Sequence, residues 1–232
     1  MQADSTACLH GTFVAGILSA RRGSAAPAIC PDCALLVRPI FAEKKTANDE
    51  VPSATPEQLA QAILDCLDAG ARVLNISAAI VQPALKSERA LEEALDQAAR
   101  RGVIVVAAAG NQGTVGSTAI TRHPWVLPVV AYDLQGRPMS QSNLGNSIGQ
   151  RGLGAPGDRI TSLGARGQPL TLGGTSAAAP FVTGTIALLW SEFQAASATD
   201  VKFAVTQNRA TRRTTVVPPL LNAWAAYQTM RR

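Results

Sequence analysis

Three residues of this sequence have the types needed for hydrolytic chemistry: Ser176, His10 and Asn111. Ser176 sits in LGGTSAAAPFVTG (172–184), a hydroxyl among small residues ahead of an apolar run. A hydroxyl becomes a nucleophile only with a base in hydrogen-bond reach, a group that orients the base, and donors for the oxyanion that forms. The sequence has two histidines. His10 precedes Gly-Thr at the start of a helical pattern, whereas His123, in TRHPWVLP at the entry to a strand, reads as structural. Asn111 follows the apolar run VVAAAG, and the carboxyl ends of parallel strands are where α/β folds place ligand-contacting groups. Each residue also has a plainer reading. Ser176 could be a small residue where a helix packs closely, and Asn111 could be ordinary turn chemistry.

Both histidines precede Ser176, so the Ser, acid, His order of α/β-hydrolases is excluded, and GTSAA lacks the G-x-S-x-G elbow. Four cysteines, Cys8, Cys30, Cys33 and Cys66, fall in the first third. Cys30-Pro-Asp-Cys33 has C-x-x-C spacing, compatible with redox chemistry or half a zinc site. A zinc site would need two more ligands gathered by the fold from Cys8, Cys66 or His10. The alternative is a loop with free thiols or one local disulfide.

The elements that must position these groups alternate helix and strand. HGTFVAGILSA places Phe13, Val14, Ile17 and Leu18 on one helical face. ALLVRPIF (34–41) reads as a buried strand, followed by a polar loop, AEKKTANDEVPSA. Thr55 and Pro56 open a helix with the stripe Leu59, Ile63, Leu67, stopping at Gly70 before the strand RVLNISA. A second unit has Leu91, Ala94, Leu95 and Ala98 on its helix, Gly102 as the stop, and VIVVAAAG as a fully buried strand. WVLPVVAYD is a further strand, SQSNLGNSIGQRGLGAPGDRITSLG a region of short strands and turns, and the run after Ser176 a central helix with Pro180 near its start. One or two covering helices end the chain.

These patterns define one α/β domain over residues 1–232, with a mostly parallel sheet and helices on both faces. Its 47% apolar and 16% charged residues suit one sizeable core. No apolar run reaches the roughly 18 residues of a membrane span, so no membrane is expected as a partner. MQADSTACLHG has neither a basic nor an apolar signal region, so nothing there reads as a secretory signal; the location stays open, the cytoplasm being one option. The net charge of +5 comes from scattered arginines without interleaved aromatics, so nucleic acid is not an expected partner.

HGTFVAGILSA, VVAAAGNQG and GGTSAAAPFVTG, in this order, resemble the His, oxyanion-Asn and Ser segments of subtilisin-like serine proteases, the subtilase family. RVLNISAAI resembles the strand lining that family's substrate cleft. The resemblance implies a subtilisin-like three-layer α/β fold. It implies Ser176 as nucleophile, His10 as general base, and the Asn111 side chain with the Ser176 N–H as oxyanion hole. The reaction would be peptide-bond hydrolysis through an acyl-enzyme, with a peptide or protein as substrate and no cofactor or metal. The substrate strand would lie between Ser77, Ala78 and Ala79 on one side and Ala108, Ala109 and Gly110 on the S1 wall. Main-chain hydrogen bonds would give affinity and pocket depth would set preference. Where the family usually has Gly, this chain has Ala79, whose methyl would narrow or alter that pocket.

The family pattern also includes a strand ending in Asp, a few tens of residues before the histidine. Only nine residues precede His10, and Asp4, six residues upstream, is too close to fill that role. The expectation is therefore a fold lacking its first, Asp-bearing strand, and a truncated triad. An upstream segment or a second chain would have to supply the acid. In subtilisin, loss of the acid alone costs about 3 × 10⁴ in kcat, or roughly 6 kcal/mol. An endopeptidase that is weak or inactive as given is the leading reading; the alternative is a catalytically silent domain that binds extended peptides. Phe13 stands where many relatives carry a second histidine, and no acidic calcium loop is visible. Some subtilisin-like enzymes mature ribosomally made peptides inside bacterial cells, a role that matches a chain without a recognisable export signal.

Overall fold

A computed structural model describes residues 5–41, 54–78, 88–206 and 214–232. Its centre is a parallel sheet in the order β1 (Val73–Ile76), β2 (Ile104–Ala108), β3 (Val126–Tyr132), β4 (Leu153–Pro156). Residues in β2 and β3 alternate between two cores because successive side chains leave opposite faces of a strand. Ile104, Val106, Leu127 and Val129 face one core; Val105, Ala107 and Val126 face the other. Strands wet on neither face must be apolar throughout, and every residue of β2 and β3 is buried.

The first core is covered by α6 (Thr175–Glu192), which packs across all four strands, and by α7 (Ala198–Thr206). The second is covered by α2 (Pro56–Asp68) and α3 (Glu88–Arg100) through Leu59, Ile63 and Leu67 and through Leu91, Ala94, Leu95 and Ala98. Thr55 and Gln58 close a reciprocal capping box at the start of α2, satisfying two N–H groups that the first turn leaves free. A separate helix, α1 (Thr6–Ser19), lies against α6 and β5 (Ile160–Leu163), a strand paired antiparallel with β6 (Pro169–Leu172). Helix α8 (Ala223–Met230) packs on α7.

Two expectations need correction. Residues 34–40 do not form a buried strand: they run without regular structure, with Leu35 and Leu36 each 42% and Val37 59% exposed. A strand exists only by pairing, and among the described residues β1 is the edge of the sheet, bonded to β2 alone. The glycine-rich region holds a helix as well as strands and turns, α5 (Asn146–Arg151). The polar stretch 42–53 lies outside the described residues.

Candidate active site

The carboxyl ends of β1 and β2 point to the same side because the strands are parallel, and the first turn of α6 meets them there. Gly174 opens that turn with φ +104°, a left-handed conformation natural only to glycine. Having no side chain, it cannot cap the helix itself. Asn111 does so instead: its Oδ1 accepts from the Thr175 N–H at 2.9 Å and from the Thr175 hydroxyl at 3.0 Å. A Cβ on Gly174 would stand 2.9 Å from that same oxygen and 3.0 Å from Asn111 Nδ2. The glycine is thus required twice, by its φ and by the amide lying over it.

Two donors follow from this packing. With Oδ1 committed to Thr175, the Asn111 Nδ2 hydrogens are turned away from it, on an exposed residue. Ser176 is the second residue of α6, so its N–H has no intrahelical acceptor and lies at the positive end of the helix dipole.

The loop carrying Asn111 is held by a residue that the sequence did not single out. Asn143 Oδ1 accepts from the N–H groups of Gln112 and Thr114 and from the Thr114 hydroxyl, at 3.0–3.1 Å. Its Nδ2 donates to the Ala109 carbonyl at 3.2 Å and to Gln112 Oε1 at 2.8 Å. Gly110, at φ +105°, has no room for a side chain because Asn143 Nδ2 would lie 2.3 Å from its Cβ. An Asn in a glycine-rich turn was the only local sign of this long-range role.

Ser176 is half-buried, and its carbonyl is tied to the end of β1. Asn75 accepts at Oδ1 from the Thr183 hydroxyl and donates from Nδ2 to Ser77 Oγ, both at 2.8 Å; Ser77 Oγ in turn donates to the Ser176 carbonyl at 2.9 Å. Ala78 is half-buried beside Ser77, while Ala79 and Asp4 lie outside the described residues. Ala108, Ala109 and Gly110 are buried. Of these, Ala109 donates to the Val129 carbonyl and accepts from Asn143, while Gly110 donates to Thr175 Oγ1 and accepts from the Asn143 N–H. These main-chain groups of Ala109 and Gly110 are therefore already bonded within the fold.

His10 lies on α1, three residues before Phe13. Phe13, Ile17 and Ala177 form one apolar cluster, so the helix bearing His10 is packed against the residue next to Ser176. Phe13 is 1% exposed, a core position in which the aromatic ring fits. Burial pushes the His10 imidazole below its ordinary 6.5, favouring the neutral form a general base needs. No carboxylate among the described residues forms a hydrogen bond or ion pair with it.

His123 is elsewhere. It caps α4 (Ala119–Arg122) at the opposite end of β3, with Nε2 3.2 Å from Asp96 Oδ1 and Nδ1 accepting from the Trp125 N–H. That is a His–Asp pair with a structural setting. The four cysteines are free thiols, and among the described residues no cluster of three or more His, Cys, Asp or Glu could hold a metal ion. No helix among them is long and apolar enough to cross a membrane.

The chain matches the subtilase family over residues 2–222, and it belongs to that family. It is 34% identical to a thermophilic serine proteinase of a Bacillus species, over 79% of this chain and 43% of the relative. It is 30% identical to mycosin-3 of Mycobacterium tuberculosis, over 88% of this chain and 55% of the relative. The chain thus spans about half the length of the curated relatives it matches. Among solved structures, a mutant of the protease domain of PatA superposes with a TM-score of 0.88 at 31% identity, covering 99% of this chain and 83% of that one. The prenylagaramide maturation protease PagA gives 0.84 at 30% identity, covering 96% and 82%. The three-layer subtilisin-like α/β fold follows from these superpositions.

Proposed function

We propose that this chain carries the nucleophile, base and oxyanion hole of a serine endopeptidase. Ser176 Oγ attacks the scissile carbonyl while His10 takes its proton, and the acyl-enzyme is then hydrolysed by the reverse transfer. Asn111 Nδ2 and the Ser176 N–H bond the oxyanion. The observation that carries this reading is the commitment of Asn111 Oδ1 to Thr175, which turns the amide's donor end outward beside the free N–H of Ser176. Pre-set donors cost no reorganisation when charge develops.

A substrate strand would run along Ser77, Ala78 and Ala79. Ala108, Ala109 and Gly110 would meet it as an apolar wall, since the main chain of the last two is already bonded. The names of the structural neighbours, maturation proteases among them, support a peptide that is trimmed from a larger precursor as substrate.

The acid that orients His10 would arrive on a strand at the open edge of β1, from an upstream segment or a second chain. The outer edge of β1, which no described strand pairs, and the exposed Leu35, Leu36 and Val37 support this, because an inserted apolar strand would bond the one and cover the others. Without that strand no carboxylate among the described residues fixes the tautomer of His10, which favours the second reading, a silent domain that holds extended peptides. Cleavage of a denatured protein by the whole protein, abolished by Ser176→Ala, supports the peptidase. Peptide binding with no cleavage in either form supports the silent domain.

A further inference from the structure

Cys30 and Cys33 take no part in the chemistry above, yet the fold holds them together. The chain leaving α1 turns back on it: the Ile29 N–H donates to the Ile17 carbonyl and the Cys30 N–H to the Leu18 carbonyl, each at 3.0 Å. Ile29 packs beside Phe13, Ile17 and Ala177, so this return is anchored against both α1 and α6. Cys30-Pro31-Asp32-Cys33 then closes a tight turn, with the Cys33 N–H bonded to the Cys30 carbonyl at 3.1 Å. The two cysteines thus stand at the two ends of one hydrogen-bonded turn.

Their exposure is unequal. Cys30 is 4% exposed, while Cys33 is half-buried and open to solvent. Burial, with Cys33 beside it, pushes the Cys30 thiol up to about 12. A more exposed thiol with a buried thiol three positions before it is an arrangement in which one sulfur can meet a reagent and the other resolve the adduct.

We propose that Cys30 and Cys33 form a reversible dithiol–disulfide site that exchanges with low-molecular-weight disulfides through Cys33. Cys33 loses its proton to solvent, and its thiolate attacks one sulfur of the reagent, RSSR. A Cys33–SR bond forms, the reagent's S–S bond breaks, and RS⁻ leaves. Cys30 then gives its proton to solvent and its sulfur attacks Cys33 Sγ, expelling the second RS⁻. The two RS⁻ take up two protons, so two protein thiols are oxidised and one reagent disulfide is reduced to two thiols. The high-lying Cys30 thiol makes the second step the slow one at neutral pH and faster as pH rises.

The site is independent of peptidase activity, and so is its test. The folded protein is equilibrated with mixtures of reduced and oxidised glutathione, free thiols are alkylated, and the peptide carrying both cysteines is weighed. In oxidising mixtures that peptide is expected to lose two hydrogens, reversibly. Cys30→Ser is expected to accumulate one glutathione on Cys33; Cys33→Ser is expected to accumulate none on Cys30. Full alkylation of both thiols in the most oxidising mixture, with the circular dichroism of the folded protein retained, would overturn the proposal. So would pairing of Cys33 with Cys8 or Cys66.

Discussion

The Ser77 hydroxyl donates a hydrogen bond to the carbonyl of Ser176 at 2.9 Å, across a separation of 99 residues. In an uninterrupted helix that carbonyl would accept from the N–H four residues on. Position 180 is proline, which has no N–H and whose ring crowds the same carbonyl. Ser77 supplies the missing donor, and it is itself fixed by Asn75 and Thr183. A helical defect in the first turns of α6 is thus repaired from the end of β1, and the repair holds Ser176, the proposed nucleophile.

Ser77→Ala should therefore cost about 1 kcal/mol in stability, the usual net worth of one hydrogen bond at a partly buried position. It should also slow phosphonylation of Ser176 several-fold. Thermal unfolding and the rate of fluorophosphonate labelling measure the two effects, and Ser77→Thr, which keeps the hydroxyl, should restore much of both.

Asn111→Ala should reduce the labelling rate of Ser176 by about 10²–10³, the loss found when the oxyanion amide is removed from subtilisin. Gly174→Ala should act on the same group from below. Its methyl meets the Asn111 amide at 2.9–3.1 Å and its φ is +104°. A slower labelling rate together with a lowered unfolding temperature is the expected outcome.

Asn143→Ala removes five side-chain hydrogen bonds from the loop over 109–114. The Ala109 carbonyl left behind is buried, while Gln112 and Thr114 are exposed and can turn to water, so a loss of about 1–3 kcal/mol is expected. Substrate binding should change less than the rate of acylation, because the loop's product is the placement of Asn111. Denaturant unfolding and the separate measurement of kcat and KM check this.

Burial holds the His10 imidazole below 6.5, so the base should already be neutral at pH 7, and labelling of Ser176 should fall only at more acid pH. Below 6.5 the unfolded chain binds a proton that folded His10 resists. The stability contribution of this group is present above 6.5 and is lost as pH falls through its lower, folded value. An acid-bearing strand docked beside His10 would raise that midpoint, which a pH profile of labelling with and without the strand detects.

The segments around His10, Asn111 and Ser176 made the family legible in the sequence, because each is contiguous and its neighbours also carry the pattern; the roles of the three residues are the proposal made above. The helices capped by Thr55 or striped by Leu91, Leu95 and Ala98 were legible for the same local reason, and so were the buried runs of β2 and β3. ALLVRPIF was misread because its composition speaks only of a strand's propensity, while a strand also needs a neighbour, and none of the described residues provides one. Asn143 and Ser77 were not legible as supports. Their hydrogen bonds span 29 to 34 residues in one case and 99 in the other, and nothing local marks them.

Everything proposed for the site depends on Ser176 being a nucleophile served by His10 and by the donors at the start of α6. Fluorophosphonate labelling of the whole protein, with the adduct mapped by mass spectrometry, tests it most directly. One phosphonyl group on Ser176 is expected, lost in Ser176→Ala and strongly slowed in His10→Ala and Asn111→Ala. A folded protein that takes up no label, or takes it up equally in all four forms, would contradict it.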